Sequence, residues 1–204
     1  MRSEAARKAL HLVSLIVPAA MLALGCTNAL VAGGAVAAVA VAADVLRARS
    51  PGFARFIDRW FGWMMRAEEQ PGVPGPVVFN GATWVLVTAF LLALLFPLRV
   101  GMAVFIAFML GDAAAALVGR AVGRHRWPGT RRTVEGSAAF FAVALAVLLA
   151  LPAVVGDAVV HPSLPVAAAV ALAMAAVEAL PIRLNDNVRV PVVGALLLVV
   201  LNVR

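Results

Sequence analysis

The feature that most constrains this chain is a succession of long apolar runs separated by short basic segments. The runs cover 10–24, 29–43, 76–98, 100–122, 137–155, 165–180 and 190–203. A water-soluble globule of 204 residues could not bury so many. Apolar side chains make up 64% and charged ones 13%, against about 45–50% and 25% in soluble domains. The expected class is an all-α, polytopic membrane helical bundle, with residues 1–204 forming one integral membrane domain of about seven transmembrane helices. The shortest runs reach only about 24 Å at 1.5 Å per residue, so they must borrow flanking residues or lie in thinned lipid.

The start of the chain, with Arg2, Arg7 and Lys8 before an apolar run and Gly25-Cys26 after it, also fits a cleaved signal. Two helices joined at Cys26-Thr27-Asn28 explain the same residues without discarding a segment, because a second apolar run follows at once.

Charge orients the spans. With a cytoplasmic N-terminus, the inside segments are 1–8, 44–75, 120–136 and 181–189, which hold 15 of the 17 Lys and Arg residues. That asymmetry supports seven spans, N-terminus in and C-terminus out, because losing one span would put later basic loops on the wrong face. The long inside segment carries Phe53, Phe56, Ile57, Trp60, Phe61 and Met64 at helical spacing, with Arg55, Asp58, Arg59 and Arg66 between them. It reads as an amphipathic helix over 51–66, lying in the headgroup layer or packed on the bundle.

The net charge of +7 fits these loops better than nucleic-acid binding, for which no basic, aromatic-interleaved module exists. Cys26, the single cysteine, permits neither an internal disulfide nor a cysteine-based metal site, and reads as a small apolar filler. Lys8 is the one lysine, so a phosphate loop of the GxxxxGK[ST] type is absent. Any phosphate would be held by arginine, backbone amides or metal.

Ionisable groups in or beside the spans are costly and therefore mark function. Arg7, Lys8 and His11 share a face at the inner end of the first span, and Asp44 and Arg47 do so at the inner end of the second. Glu68 and Glu69 close the amphipathic segment, Asp112 lies in the fourth span, and Asp186-Asn187 occupies the last inside loop. Nearly all of them gather on the cytoplasmic side. A conduit would need them spread through the bilayer's depth, so the pattern points to an interfacial reaction centre fed from the cytoplasm.

The densest stretch is 111–137, with Gly111, Gly119, Gly123, Gly129 and Gly136 beside Arg120, Arg124, His125, Arg126, Arg131 and Arg132. Such arginines serve as topology signals or lipid contacts, or they cradle a polyanion. Asp112 and Glu135 at the two ends favour the second use, because hard oxygen ligands beside a cationic cradle suit Mg²⁺ bridging to phosphates.

At this stretch the chain resembles the family of dolichol kinase, phytol kinase and CTP-dependent diacylglycerol kinase. The resemblance rests on GDAAAALVGRAVGR, TRRTVEGSAAFF, DNVRVP and RKALH, and runs over nearly the whole chain. It implies transfer of the terminal phosphoryl group of a nucleoside triphosphate, commonly CTP, to an isoprenoid alcohol or diacylglycerol, with a divalent metal. By this resemblance Asp112 is the GD aspartate, and Arg120 and Arg124 are the arginines that follow the glycines. Arg132 stands where the family's KTxEG motif has lysine, followed by Thr133, Glu135 and Gly136. Asp186 and Asn187 are the DN pair, Arg7, Lys8 and His11 the basic N-terminal motif, and Asp44 and Arg47 a supporting pair. Arginine keeps the charge at 132 but is larger and planar.

These correspondences put a triphosphate over 111–137, neutralised by Arg124 and Arg132. Mg²⁺ falls to Asp112 and Asp186, with Asn187 and Glu135 as further candidates. Asp112 or Asp186 accepts the hydroxyl proton of a lipid alcohol arriving sideways from the bilayer. A phosphatidate cytidylyltransferase shares the glycine-rich stretch, but its C-terminal block is missing here. A small transporter is the competing non-enzyme class, with Pro18, Pro97, Pro152 and Pro181 as broken-helix marks or, more simply, bends and span ends. His161 reads as a turn residue, and Met109 with Phe105, Phe108, Phe140 and Phe141 as packing. Glu178 either pairs with Arg183 or stands near the pocket.

Overall fold

The computed structural model describes residues 12–65, 69–70, 72–182 and 184–201. Among them are seven α-helices: α1 Ile16–Arg49, α2 Pro51–Phe61, α3 Gly81–Leu95, α4 Leu98–Ala121, α5 Val134–Val155, α6 Leu164–Ala179 and α7 Asp186–Val200. The expected all-helical class holds. Three helical segments are long and apolar enough to cross a membrane, Ile16–Arg49, Leu98–Ala121 and Val134–Ala158, while Gly81–Leu95 and Leu164–Ala179 are shorter apolar helices. These helices are compatible with an integral membrane protein. At 1.5 Å per residue, 15-residue α3 and α7 span about 22 Å, short of a hydrocarbon layer of about 30 Å.

The first two apolar runs join in α1, and Gly25 is where they part. Its φ of 73° and ψ of 171° break the helix. A continuous helix would separate Met21 from Gly33 by about 18 Å. Instead the methyl of Met21 lies 3.1 Å from where a Cβ on Gly33 would stand, so the chain turns back at Gly25. Cys26, next to this turn, is exposed and does not fill the interior.

Other boundaries follow local chemistry. The run at 76–98 becomes helical only at Gly81, where the Asn80 side chain caps α3 by accepting from the Thr83 amide. Pro97 separates α3 from α4. The run at 137–155 starts earlier, at Val134, because Thr133 caps α5 through its hydroxyl and the Gly136 amide. Pro18 and Pro152 lie within the first turn of α1 and the last turn of α5, and Pro181 follows α6, as span-end prolines should.

Helix α4 is the centre, packing against α1, α3, α5 and α7. Met102, Phe105, Phe108 and Met109 on α4 are fully enclosed with Phe140 and Leu148 of α5, Met174 of α6 and Leu198 of α7. Phe108 lies 6.5 Å from Phe105 and 6.4 Å from Phe140 between ring centroids. The outer helices do the reverse. Val31, Val39, Val154 and Leu172 project from a surface that water would not favour and lipid would.

Neighbouring helices run antiparallel. Gly34 faces Phe90 and Gly101 faces Leu92, while Gly111 meets Phe140 and Gly119 meets Gly136. This alternation brings the end of α1, the start of α3, the 122–133 connection, the end of α6 and the start of α7 to one end of the bundle. Asp157 and His161, 3.3 Å apart, mark the other.

Helix α2 begins at that polar end. Ser50 caps it by accepting from Phe53, and Pro51 occupies its first turn. Ala54 is buried against α1, whereas Phe56, Trp60, Phe61 and Trp63 are exposed. Phe53 and Ile57 of the same expected face are half-buried, so the helix both packs on α1 and exposes aromatic side chains; Arg66 lies outside the described residues.

Candidate functional site at the polar end of the bundle

The 122–133 connection is a hairpin. Trp127-Pro128-Gly129-Thr130 turns with Gly129 at φ 71°, and the Thr130 amide donates to the Trp127 carbonyl at 3.2 Å. Proline followed by glycine in the left-handed region is the signature of a type II turn. Arg126 and Thr133 pair across it, the Trp127 amide donates to the Arg132 carbonyl, and the Val134 amide donates to His125. Glu135 braces the same hairpin, its carboxylate accepting from the His125 amide at 3.3 Å and meeting Nδ1 at 2.8 Å. Trp127 donates to the Ser137 hydroxyl at 3.0 Å.

The glycines set how closely α4 and α5 approach beneath the hairpin. A Cβ on Gly119 would stand 2.9 Å from the Thr133 hydroxyl, and one on Gly136 would stand 2.9 Å from the Ala115 carbonyl. A Cβ on Gly123 would collide with Thr133 and with the Gly119 carbonyl. Thr133 is therefore a buried cap wedged between glycines, and Gly136 is a packing position.

This framework delivers Arg132 to the ends of α6 and α7. Its Nε lies 2.5 Å from Glu178, a second guanidinium nitrogen bonds Asp186, and a third donates to the Leu180 carbonyl at 3.4 Å. Asp186 also accepts from Arg189 Nε at 2.7 Å. Arg189, almost entirely buried, donates as well to the carbonyls of Val177 at 2.7 Å and Leu180 at 3.0 Å. It adds a charged donor to carbonyls at the end of α6 while holding Asp186. Asp112, half-buried on α4, belongs to the same electrostatic group: Arg132, Asp112, Asp186 and Arg189 all act on Glu178.

The structure thus brings Arg132 together with Glu178 and Asp186, and Asp112 is near enough to act electrostatically on Glu178. Asn187 is half-buried beside them, its amide donating to Asn185. Arg120 and Arg124 are exposed at the end of α4 and in the hairpin. Asp44 and Arg47 form a separate centre on α1, described below. Arg7, Lys8, His11 and Glu68 lie outside the described residues. Arg183 lies outside them too, and the observed partner of Glu178 is Arg132. Glu178 has the pocket as one of its two expected places, whereas Arg189 is a member that the sequence reading does not name. The i, i+3 spacing of Asp186 and Arg189 on one helix face was the available signal for Arg189.

The charge arrangement can bind and orient a polyanion at the hairpin while keeping carboxylates close to it. Among the described residues, no three His, Cys, Asp or Glu side chains close on a common metal point.

No protein-family model matches the chain, and no solved structure does. It is similar to an uncharacterized protein of Rickettsia prowazekii (strain Madrid E), 24% identical over 190 residues that cover 92% of this chain and 89% of that protein.

Proposed function

We propose that this chain is a membrane-embedded lipid-alcohol kinase, moving the terminal phosphoryl group of a nucleoside triphosphate, with CTP as the expected donor, to an isoprenoid alcohol or diacylglycerol. In this reading it crosses the membrane seven times, with its N-terminus and polar end on the cytoplasmic side, where 15 of the 17 basic residues fall. The observation that carries the proposal is the junction of Arg132, Glu178 and Asp186 within reach of the Asp112 charge. It joins the TVEG and DN segments directly and has the GD segment within electrostatic range, the three that the family resemblance singles out.

The chain's residues supply positioning and charge. Arg120, Arg124 and Arg132 neutralise the triphosphate, and the hairpin holds Arg132 at a defined depth. Asp112 or Asp186 takes the proton of the lipid hydroxyl as its oxygen bonds to the terminal phosphorus. The bond from that phosphorus to the bridging oxygen breaks, and the nucleoside diphosphate leaves. Stabilising that displacement is mainly alignment and electrostatics. The donor chemistry fits Mg²⁺, which takes one or two carboxylates and completes its shell with phosphate oxygens and water. Asp112 and Asp186 would hold it, and when bound it neutralises phosphate charge. Both Asp186 oxygens are engaged by Arg132 and Arg189, so Arg132 must pass from carboxylate to phosphate for Asp186 to serve this way.

The test is label transfer from CTP into polyprenol, phytol, geranylgeraniol and diacylglycerol, using purified protein in lipid. Label from the γ position should enter the lipid fraction and α label should not. Incorporation of α label instead would make the protein a cytidylyltransferase. No lipid label from CTP or ATP would remove the kinase reading and leave transport as its rival.

A further inference from the structure

The end of α1 holds a second buried polar centre, which needs only the membrane setting and not the kinase chemistry. Asp44 and Arg47 are 3% and 5% exposed. Asp44 is saturated: it accepts from the Asn80 amide at 3.0 Å, the Asn80 side chain at 2.9 Å and the Thr83 hydroxyl at 2.7 Å. Arg47 is not. Its Nε stands 3.7 Å from Asp44 and has no hydrogen-bond partner among the described residues. Among the described residues its other nitrogens reach the Met65 thioether at 3.6 Å and the Val78 carbonyl at 3.3 Å. A guanidinium carries five N–H donors, and burying one without strong acceptors is costly, so this group, though ion-paired with Asp44, is short of hydrogen-bond acceptors among the described residues.

Arg47 lines a cavity of about 170 Å³ between α1, α2 and the 70–78 segment. The cavity is graded in polarity. Arg47 is its buried cation, Asp44 a buried anion whose oxygens are already taken by Asn80 and Thr83, Asp58 of α2 an exposed anion, and Ala48, Val73 and Pro76 add apolar wall. The exposed aromatics of α2 suit the depth at which lipid headgroups lie. A phosphate alone would give Arg47 its acceptors but would meet the charges of Asp44 and Asp58 with no second cation to offset them. A phosphate ester ending in an ammonium group satisfies Arg47 and Asp58 together, with the cation toward water and the lipid tails toward the bilayer.

We propose that this cavity binds the phosphoethanolamine headgroup of a membrane phospholipid, with phosphate on Arg47 and ammonium on Asp58. Native mass spectrometry of the purified full chain, titrated with phosphatidylethanolamine or phosphatidylglycerol of identical acyl chains, tests it. The ethanolamine lipid should bind about tenfold more tightly, the discrimination that 1.4 kcal/mol provides. D58N should erase that preference while phosphate binding survives, and A54F, which fills the cavity, should weaken both lipids. Both substitutions lie on the peripheral helix, and an unchanged gel-filtration profile shows that the fold persists. Equal affinity for the two lipids in the unaltered protein, or an unchanged preference in D58N, would overturn the assignment and leave the kinase reading untouched.

Discussion

Arg132 is the only described side chain that ties the hairpin to both α6 and α7, and its removal should be felt as a coupled loss. R132Q deletes the contact to Glu178, whose carboxyl is 6% exposed, and the contact to Asp186, whose side chain is 33% exposed. Water can replace the guanidinium at Asp186, so that half is worth about 0.5–1 kcal/mol, as for exposed ion pairs. At Glu178 water has little access, and a carboxylate stranded in the interior costs about 2–3 kcal/mol, discounted from the 3–5 of fully buried pairs because Arg132 itself is 27% exposed. The total, about 3 kcal/mol, corresponds to a fall in Tm of roughly 6–12 °C for a chain of this size. E178Q removes the stranded charge and should cost only about 1 kcal/mol. The double variant should then be less destabilised than the two single losses added, by about 1.5–2 kcal/mol. Unfolding of all four proteins in one detergent, followed by tryptophan fluorescence, measures this cycle. Losses that add within about 0.5 kcal/mol would show that Arg132 and Glu178 do not interact, and the site would lose the contact that joins its segments.

Replacing Asp112 with asparagine should abolish lipid phosphorylation in membranes while the protein still inserts; full activity in that variant would remove Asp112 from the reaction. R189M takes one charged donor from Asp186, which keeps Arg132, and one from each of the carbonyls of Val177 and Leu180, and should destabilise by about 1–3 kcal/mol, read as a lowered Tm. G119L should force α4 and α5 apart at Thr133 and cost about 1–3 kcal/mol, whereas leucine at Ala138, exposed on α5, should change Tm little. Replacing Gly129 with alanine strains the left-handed residue of the turn by about 1–2 kcal/mol and should lower activity more than Tm, because the hairpin aims Arg132 but contributes little to the core.

The helical class, the paired α1 segments and the clustering of polar groups at one end were legible in the order of apolar runs and basic loops. Periodicity and length carry that information along the chain itself. Boundaries were less legible, because Asn80 and Thr133 act as caps through side-chain bonds that hydropathy does not register. The packing role of Phe105, Phe108, Phe140 and Met109 followed from their apolar surroundings. The dual contact of Arg132 did not, since Glu178 and Asp186 lie 46 and 54 positions away and meet it only through the antiparallel return of α6.

The sequence alone determined that this chain must be helical and rich in lipid-compatible surface, because composition and run length decide which solvent a segment prefers. It also marked Asp112, Arg132 and Asp186 as costly residues to place near a bilayer. Only the tertiary structure decided which charges face one another. Glu135 turns to the His125 hairpin, Glu178 takes Arg132, and Arg189 secures Asp186. Ion pairing depends on a few ångströms of separation, and the α4–α5 crossing set by glycines at 119 and 136, with the hairpin seated closely at Gly123, establishes those separations.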